Sequence, residues 1–405
     1  MESLREIFRI GNGPSSSHTM GPKHAAELFL DRIKEIKSDH INVTLYGSLA
    51  ATGRGHLTDK AILSILAPVF RTEILWCPEI VLPYHPNGVK FEALDKNDTL
   101  LYSWTAYSVG GGALFWEGKE EKAKEQVYDM NTISEIKKWG YSEGRTFWEY
   151  VDLCEGPSIW EHLDEVWRVM SNAIKRGLNT EGVLPGELKV ARKATKYFVK
   201  SDSYVGGLSS RAKIYSYALA TAEENASGGL VATAPTCGSC GVLPAVIYHL
   251  QQSRNFSRER ILHALATAGL FANVVKSNAS IAGAEVGCQG EVGVACAMAA
   301  AAANQMFGGT LNQIEYAAEM GLEHHLGLTC DPMCGLVQIP CIERNAIASA
   351  RAFDVNFYSM LSDGIHRVSF DRVVEVMKET GHDIPSLYRE TSEGGLAKYS
   401  TDSIQ

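Results

Sequence analysis

The sequence lacks several features that would place it outside ordinary enzymes. It has no basic excess: 38 Lys and Arg stand against 47 Asp and Glu, a formal net charge of −9 over 405 residues. That balance argues against a nucleic-acid partner, which needs a basic face to displace counterions. The opening Met-Glu-Ser-Leu-Arg-Glu-Ile-Phe has none of the basic, apolar and small-residue segments of a secretory leader, so a cytoplasmic location is expected. No run is long enough to span a membrane. The most apolar stretch, 292–306, is mostly alanine and reads as a buried helix, so no membrane partner is expected. There is no internal repeat and no low-complexity tract. Nine cysteines in such a chain point to reduced thiols, metal ligands or catalysis rather than to a disulfide scaffold.

The segments that are present divide the chain in two. Ile41, Val43 and Leu45 alternate with polar residues, as in a half-buried strand, and Thr58-Asp59 reads as the cap of a helix over 61–66. A helix is expected over 23–36. Pro, Asn and Gly clusters at 76–78, 83–88 and 110–112 punctuate short strand-like runs. Beyond Thr146 the apolar spacing turns helical at 147–153 and 159–174. Alanine-rich segments follow at 212–224, 261–275, 292–306, 314–320 and 345–353. The expected class is α+β: a small α/β domain over 1–145, then a larger all-helical catalytic domain over 146–405. The tail after Gly394 is polar and is expected either to be loose or to fold back.

Cysteine carries most of the chemistry. Cys288 sits in G-A-E-V-G-C-Q-G-E-V-G, and Cys330, Cys334 and Cys341 form C-x3-C-x6-C in G-L-T-C-D-P-M-C-G-L-V-Q-I-P-C. These are neither paired zinc-finger units nor ferredoxin spacings. Thiols often serve as small buried hydrophobes, which suits Cys296, Cys77 and Cys154. That account fits Cys288, Cys330 and Cys341 poorly, among Gly, Gln, Glu, Asp and Pro. Three fixed thiolates suit a soft metal, and they can hold an iron–sulfur cluster while leaving one iron open. Cys237 and Cys240, in T-C-G-S-C, are a redox dithiol, a metal half-site or an accident.

Other loops supply polar groups. Gly13–Pro22 holds Ser15, Ser16, Ser17, His18 and Thr19 just before an expected helix. Hydroxyls and free N–H groups there suit a carboxylate or phosphate, beyond what one N-cap needs. His18, His56 in G-R-G-H-L-T-D and His85 in H-P-N-G are candidates for acid–base work. Asn278 and Ser280 could hold substrate. If 285–291 is helical, Glu285 shares a face with Cys288 and could orient substrate or metal-bound water. Lys276 raises a pyridoxal phosphate alternative.

These segments together resemble the iron–sulfur-dependent bacterial L-serine dehydratases. The resemblance runs through S-S-S-H-T-M-G-P (15–22), G-R-G-H-L-T-D (53–59), H-P-N-G (85–88), T-A-P-T (233–236), N-A-S-I-A-G-A-E-V-G-C-Q-G-E-V-G (278–293), the segment 327–345, and Y-R-E-T-S-E-G-G-L-A (388–397). It implies a [4Fe–4S] cluster on Cys288, Cys330 and Cys341, L-serine as substrate, and a homodimer that fuses a β-type and an α-type portion. Many relatives have Asn and a small residue at 237 and 240 and an apolar residue at 334, so this chain carries extra thiols, with Cys334 the rival ligand. Some relatives end in a cysteine that enters the site. This chain ends in Ser403-Ile404-Gln405, so that self-inhibition is not expected, nor is an added C-terminal regulatory domain.

The expected chemistry is loss of the serine β-hydroxyl, aided by the open iron as Lewis acid. The Ser15–Thr19 loop would hold the carboxylate, and His56 or His18 would take the α-proton. A hydroxy-acid hydro-lyase with the same cofactor and a cluster-based sensor are the competing readings.

Overall fold

A computed structural model of the chain describes residues 1–116, 126–390 and 394–398. In order, the N-terminal elements are β1 (Ile10–Asn12), α1 (Gly21–Ile33), β2 (His40–Tyr46), α2 (Gly47–Thr52), α3 (Thr58–Leu66), β3 (Arg71–Cys77), β4 (Gly88–Leu94), β5 (Leu100–Ser108) and β6 (Leu114–Phe115). The sheet runs β3-β2-β4-β5-β6. β2 and β3 are parallel, which requires the α2–α3 crossover between them, and the remaining pairs are antiparallel. The alternation at Ile41, Val43 and Leu45 buries all three completely. α1 covers them with Ala25, Ala26, Phe29 and Ile33, spaced for one helical face. Phe29 stacks on Phe91 at 4.9 Å between ring centres.

The helical part comprises α4 (Ile133–Glu143), α5 (Phe147–Glu155), α6 (Ser158–Leu178), α7 (Ala194–Ser201), α8 (Gly206–Ala226), α9 (Val242–Arg254), α10 (Arg258–Asn278), α11 (Gly283–Val286), α12 (Val292–Phe307), α13 (Leu311–Glu323), α14 (Cys341–Met360) and α15 (Phe370–Asp383). α12 is its axis, packed by α9, α10, α13 and α14. Its alanines 295, 297 and 299–303 are fully buried. Small side chains let neighbouring helices come close. At Gly321 of α13, an added Cβ would lie 3.0 Å from the Ala297 backbone. No single described helix is long and apolar enough to cross a membrane. One bent pair, Gly283–Gln289 with Val292–Phe307, meets the length and composition, but α12 is core. Thr146–Glu149 and Thr310–Gln313 close the N-termini of α5 and α13 as reciprocal capping boxes.

Three local expectations are corrected. The helical part also contains a strand, β7 (Leu230–Ala232), which pairs antiparallel with β1. That pairing ties the chain start to the helices, and Leu4, Ile7 and Phe8 are buried in the helical core. Thr58 does not cap α3: its N-cap is Leu57, at φ 56°, and the Thr58 hydroxyl donates to the His18 carbonyl at 2.6 Å. The helix around Glu285 stops at Val286, because Gly287 sits at φ 73°, so no continuous face joins Glu285 to Cys288. Residues 394–398 fold back, and the Leu396 N–H donates to Asp331 at 2.8 Å. Ser403, Ile404 and Gln405 lie outside the described residues.

Candidate active site

The serine loop forms a wide helical turn over Ser16–Met20, continuous with α1. Ser15 caps it, its Oγ accepting from the His18 N–H at 3.0 Å. Thr19 Oγ1 accepts from the Ser15 N–H and donates to the His56 carbonyl. These bonds lock the loop onto the segment that carries His56. Ser16 is 5% exposed, and its hydroxyl has no partner among the described residues.

The imidazoles stand together, His18 and His56 4.5 Å apart between ring centres. Both nitrogens of His18 are engaged by hydroxyls, Ser17 Oγ at 2.9 Å and Ser48 Oγ at 3.1 Å. His56 differs. Thr52 Oγ1 donates its one proton to the Ser48 carbonyl, so at 3.0 Å it accepts from His56 Nδ1–H. The proton therefore sits on Nδ1, and Nε2 keeps its lone pair, with no partner among the described residues. Burial pushes His56 down to about 4, so the ring is neutral at pH 7. Burial also pushes His18 well down, helped by the neighbouring His56. His85 is half-buried and lies near His18 and Glu285. Its Nδ1 accepts the Asn87 N–H at 3.1 Å, and burial lowers it.

A small closed cavity joins this cradle to the helical part. Its walls include Ser15, Ser16 and His56 on one side and Cys288, Cys330, Cys341, Glu291 and Glu390 on the other. Cys288 comes from the turn after α11, Cys330 from the loop before α14, and Cys341 from the first residue of α14. Burial raises all three thiols, Cys288 to about 11, and they interact electrostatically with one another. Arg344, one turn along α14, donates to the Thr329 carbonyl at 2.7 Å and interacts electrostatically with Cys288 and Cys341. No three His, Cys, Asp or Glu side chains among the described residues converge on one metal-ion position.

The remaining candidates fall elsewhere. Cys334 does not line the cavity; its thiol is raised by burial and then by Glu187. Cys237 and Cys240 are buried with Met20, and neither is in a disulfide. Asn278 donates its amide to the Asn131 and Val274 carbonyls. Ser280 and the exposed Glu285 line a separate, much larger cleft of about 1510 Å³, as does Lys276, which is paired with Glu2 at 2.8 Å.

Sequence reasoning assigned no role to Glu291 and Glu390. Glu291 accepts from Thr236 Oγ1 at 2.9 Å, and burial raises its carboxyl. Burial and then the Glu291 charge raise Glu390. Glu390 is held beside the cysteine loop by its N–H, which donates to the Cys330 carbonyl at 2.8 Å. The signal open to a reader was a carboxylate inside each glycine-rich motif.

Comparison with known proteins completes the picture. The serine dehydratase beta chain family matches residues 3–69 and 65–119, and the serine dehydratase alpha chain family matches residues 113–397. The chain is 42% identical to the L-serine dehydratase TdcG of Escherichia coli (strain K12), covering 98% of this chain and 99% of that protein. It is 40% identical to the L-serine dehydratase of Haemophilus influenzae, with the same coverage, and 36% identical to that of Helicobacter pylori, covering 98% of each. With matches to both portions spanning nearly its whole length, the chain belongs to the serine dehydratase family and carries its beta and alpha portions in one polypeptide.

Proposed function

We propose that the chain is a lyase that removes water from L-serine and releases pyruvate and ammonia, with the cavity between the serine loop and the three thiols as its active site. The observation that carries this reading is the shared wall: Ser15, Ser16 and His56 from one part of the molecule meet Cys288, Cys330 and Cys341 from the other. The relatives named L-serine dehydratase supply the substrate.

Cys288, Cys330 and Cys341 would hold a [4Fe–4S] cluster. The donor set fits. Desolvation raises all three thiols, so they stay protonated until a metal displaces the proton, and the two carboxylates beside them favour added positive charge. A cluster takes each thiolate on a different iron, so its ligands need not meet at one point. When bound, it supplies a Lewis acid for the serine hydroxyl.

The protein's own groups do the rest. The hydroxyl of Ser16 and the leading N–H groups of the loop receive the substrate carboxylate. His56 Nε2 removes the α-proton, since it is the ring nitrogen left with a lone pair. Thr52 holds the ring in that tautomer through Nδ1. Loss of the α-proton and the β-hydroxyl gives water and aminoacrylate. The aminoacrylate tautomerises to the imine, and water converts it to pyruvate and ammonia. The division at residue 145 is proposed to separate the portion that orients substrate from the portion that carries the thiols. A homodimer is also proposed; exposed Val205, Leu208, Phe357, Leu361 and Ile365 offer apolar surface for it.

The test is anaerobic assay of the purified chain with L-serine. Equal release of pyruvate and ammonia is expected, and its loss in Cys330→Ala. Absence of pyruvate from a cluster-loaded preparation would remove the reading.

A further inference from the structure

We propose that Glu390 receives the substrate's α-ammonium and so selects α-amino acids over α-hydroxy acids of the same skeleton. This inference rests on the cavity being the L-serine site.

Glu390 is built into the wall at a conformational cost. Its φ of 59° lies in the left-handed region, where a Cβ is crowded by the following carbonyl. A short parallel bridge between Cys330 and Arg389, together with the Glu390 N–H bond to the Cys330 carbonyl, holds it there. Its carboxylate forms no hydrogen bond among the described residues. The ionisable nitrogen nearest to it is His18 Nδ1, 3.9 Å away, and that atom already pairs with Ser17. By contrast, Glu291 on the same wall is partly occupied by Thr236. A nearly buried carboxylate, its side chain 14% exposed, faces a second carboxylate and has nothing of opposite charge bonded to it among the described residues.

Two further groups in the same cavity also lack partners among the described residues, the Ser16 hydroxyl and His56 Nε2. The three together match one ligand. An α-amino acid places a carboxylate, an acidic C–H and an ammonium on neighbouring atoms. Ser16 answers the first, His56 the second, and Glu390 the third. A hydroxyl in place of the ammonium would donate one neutral hydrogen bond and leave the glutamate uncompensated. Discrimination of this kind works by penalising the wrong ligand as well as by holding the right one.

The experiment compares wild-type holoenzyme with Glu390→Gln and Glu390→Asp. L-Alanine and L-lactate share a skeleton and cannot lose a β-hydroxyl, so their affinities are read by titration calorimetry, alongside KM and kcat for L-serine. Wild type is expected to prefer alanine. In Glu390→Gln that preference falls about 10- to 100-fold, the span of a hydrogen bond to a charged group, with KM for L-serine rising more than kcat falls. Glu390→Asp keeps the charge and retains part of the preference, which preserves the test if the glutamine variant does not fold. Equal binding of alanine and lactate by wild type would overturn the proposal, as would a fall in kcat with KM and the preference unchanged. Turnover of L-serine by the same wild-type preparation reports separately on the function of the site.

Discussion

The two parts of the molecule reach the same cavity with side chains in opposite states. On the sheet side most polar groups are bonded to one another, and only the Ser16 hydroxyl and His56 Nε2 are left open to the cavity among the described residues. Ser15, Ser17, His18, Thr19, Ser48, Thr52 and Thr58 form a continuous hydrogen-bonded cradle. On the helical side, three thiols and two carboxylates, each buried or half-buried, face the cavity with few partners. A hydrogen-bonded network fixes geometry before any ligand arrives, whereas unsatisfied thiols and carboxylates fit binding partners not made of protein. The difference separates a part that positions from a part that waits for positive charge.

That contrast can be broken from either side. The largest effect is expected on the helical side. Cys288→Ala, Cys330→Ala or Cys341→Ala should each lower bound iron and sulfide and abolish turnover, whereas Cys334→Ala should leave both intact. A variant of the first three that retained both would remove that residue as a ligand. Next is His56→Ala on the sheet side. It should cut kcat by about 10² to 10⁴ while the cluster absorbance stays unchanged, since a general base acts on rate rather than on assembly. An unaltered rate would exclude His56 as the base.

Acid sharpens the comparison through stability. His249 and His325 are both pushed down to about 4 by burial, outside the cavity. A histidine lowered in the fold binds its proton more readily when unfolded. Its contribution is therefore complete above about 6.5 and is lost as pH falls from there towards 4. Each should then cost up to about 3 kcal/mol, so denaturant midpoints should fall over that window. A midpoint independent of pH there would contradict the burial. In the core, Gly321→Ala pushes a methyl to within 3.0 Å of the Ala297 backbone and should destabilise by about 1–3 kcal/mol, measured by thermal unfolding. The smallest effect is Thr52→Val. It removes the acceptor that fixes the His56 tautomer and should lower kcat about tenfold, the equivalent of one modest hydrogen bond, with little change in unfolding temperature.

How much of this was legible in the sequence depends on the range of the interaction that decides each feature. Strand β2 shows in the period of Ile41, Val43 and Leu45, and α12 in its alanine run, because neighbours along the chain suffice. The serine loop was legible as a helix start for the same reason. β7 was not: three residues after Gly228 and Gly229 become a strand because β1 lies alongside. Likewise Cys334 and Cys330 look alike in sequence, yet Cys334, itself at φ 53°, lies off the cavity wall. Glu390 is separated from Cys330 by 60 positions, and backbone bonds between two loops bring it to the wall. The break at Gly287 was the reverse case. A glycine cluster was visible there, and a continuous helix was the weaker expectation.

The most direct test of the account is to prepare the protein anaerobically, count iron and acid-labile sulfide per chain, and record the spectrum of the iron with and without L-serine. The account predicts iron and sulfide in the proportion of a [4Fe–4S] cluster and a change at one iron when L-serine is added. Protein free of sulfide that still released pyruvate from L-serine at full rate would contradict it.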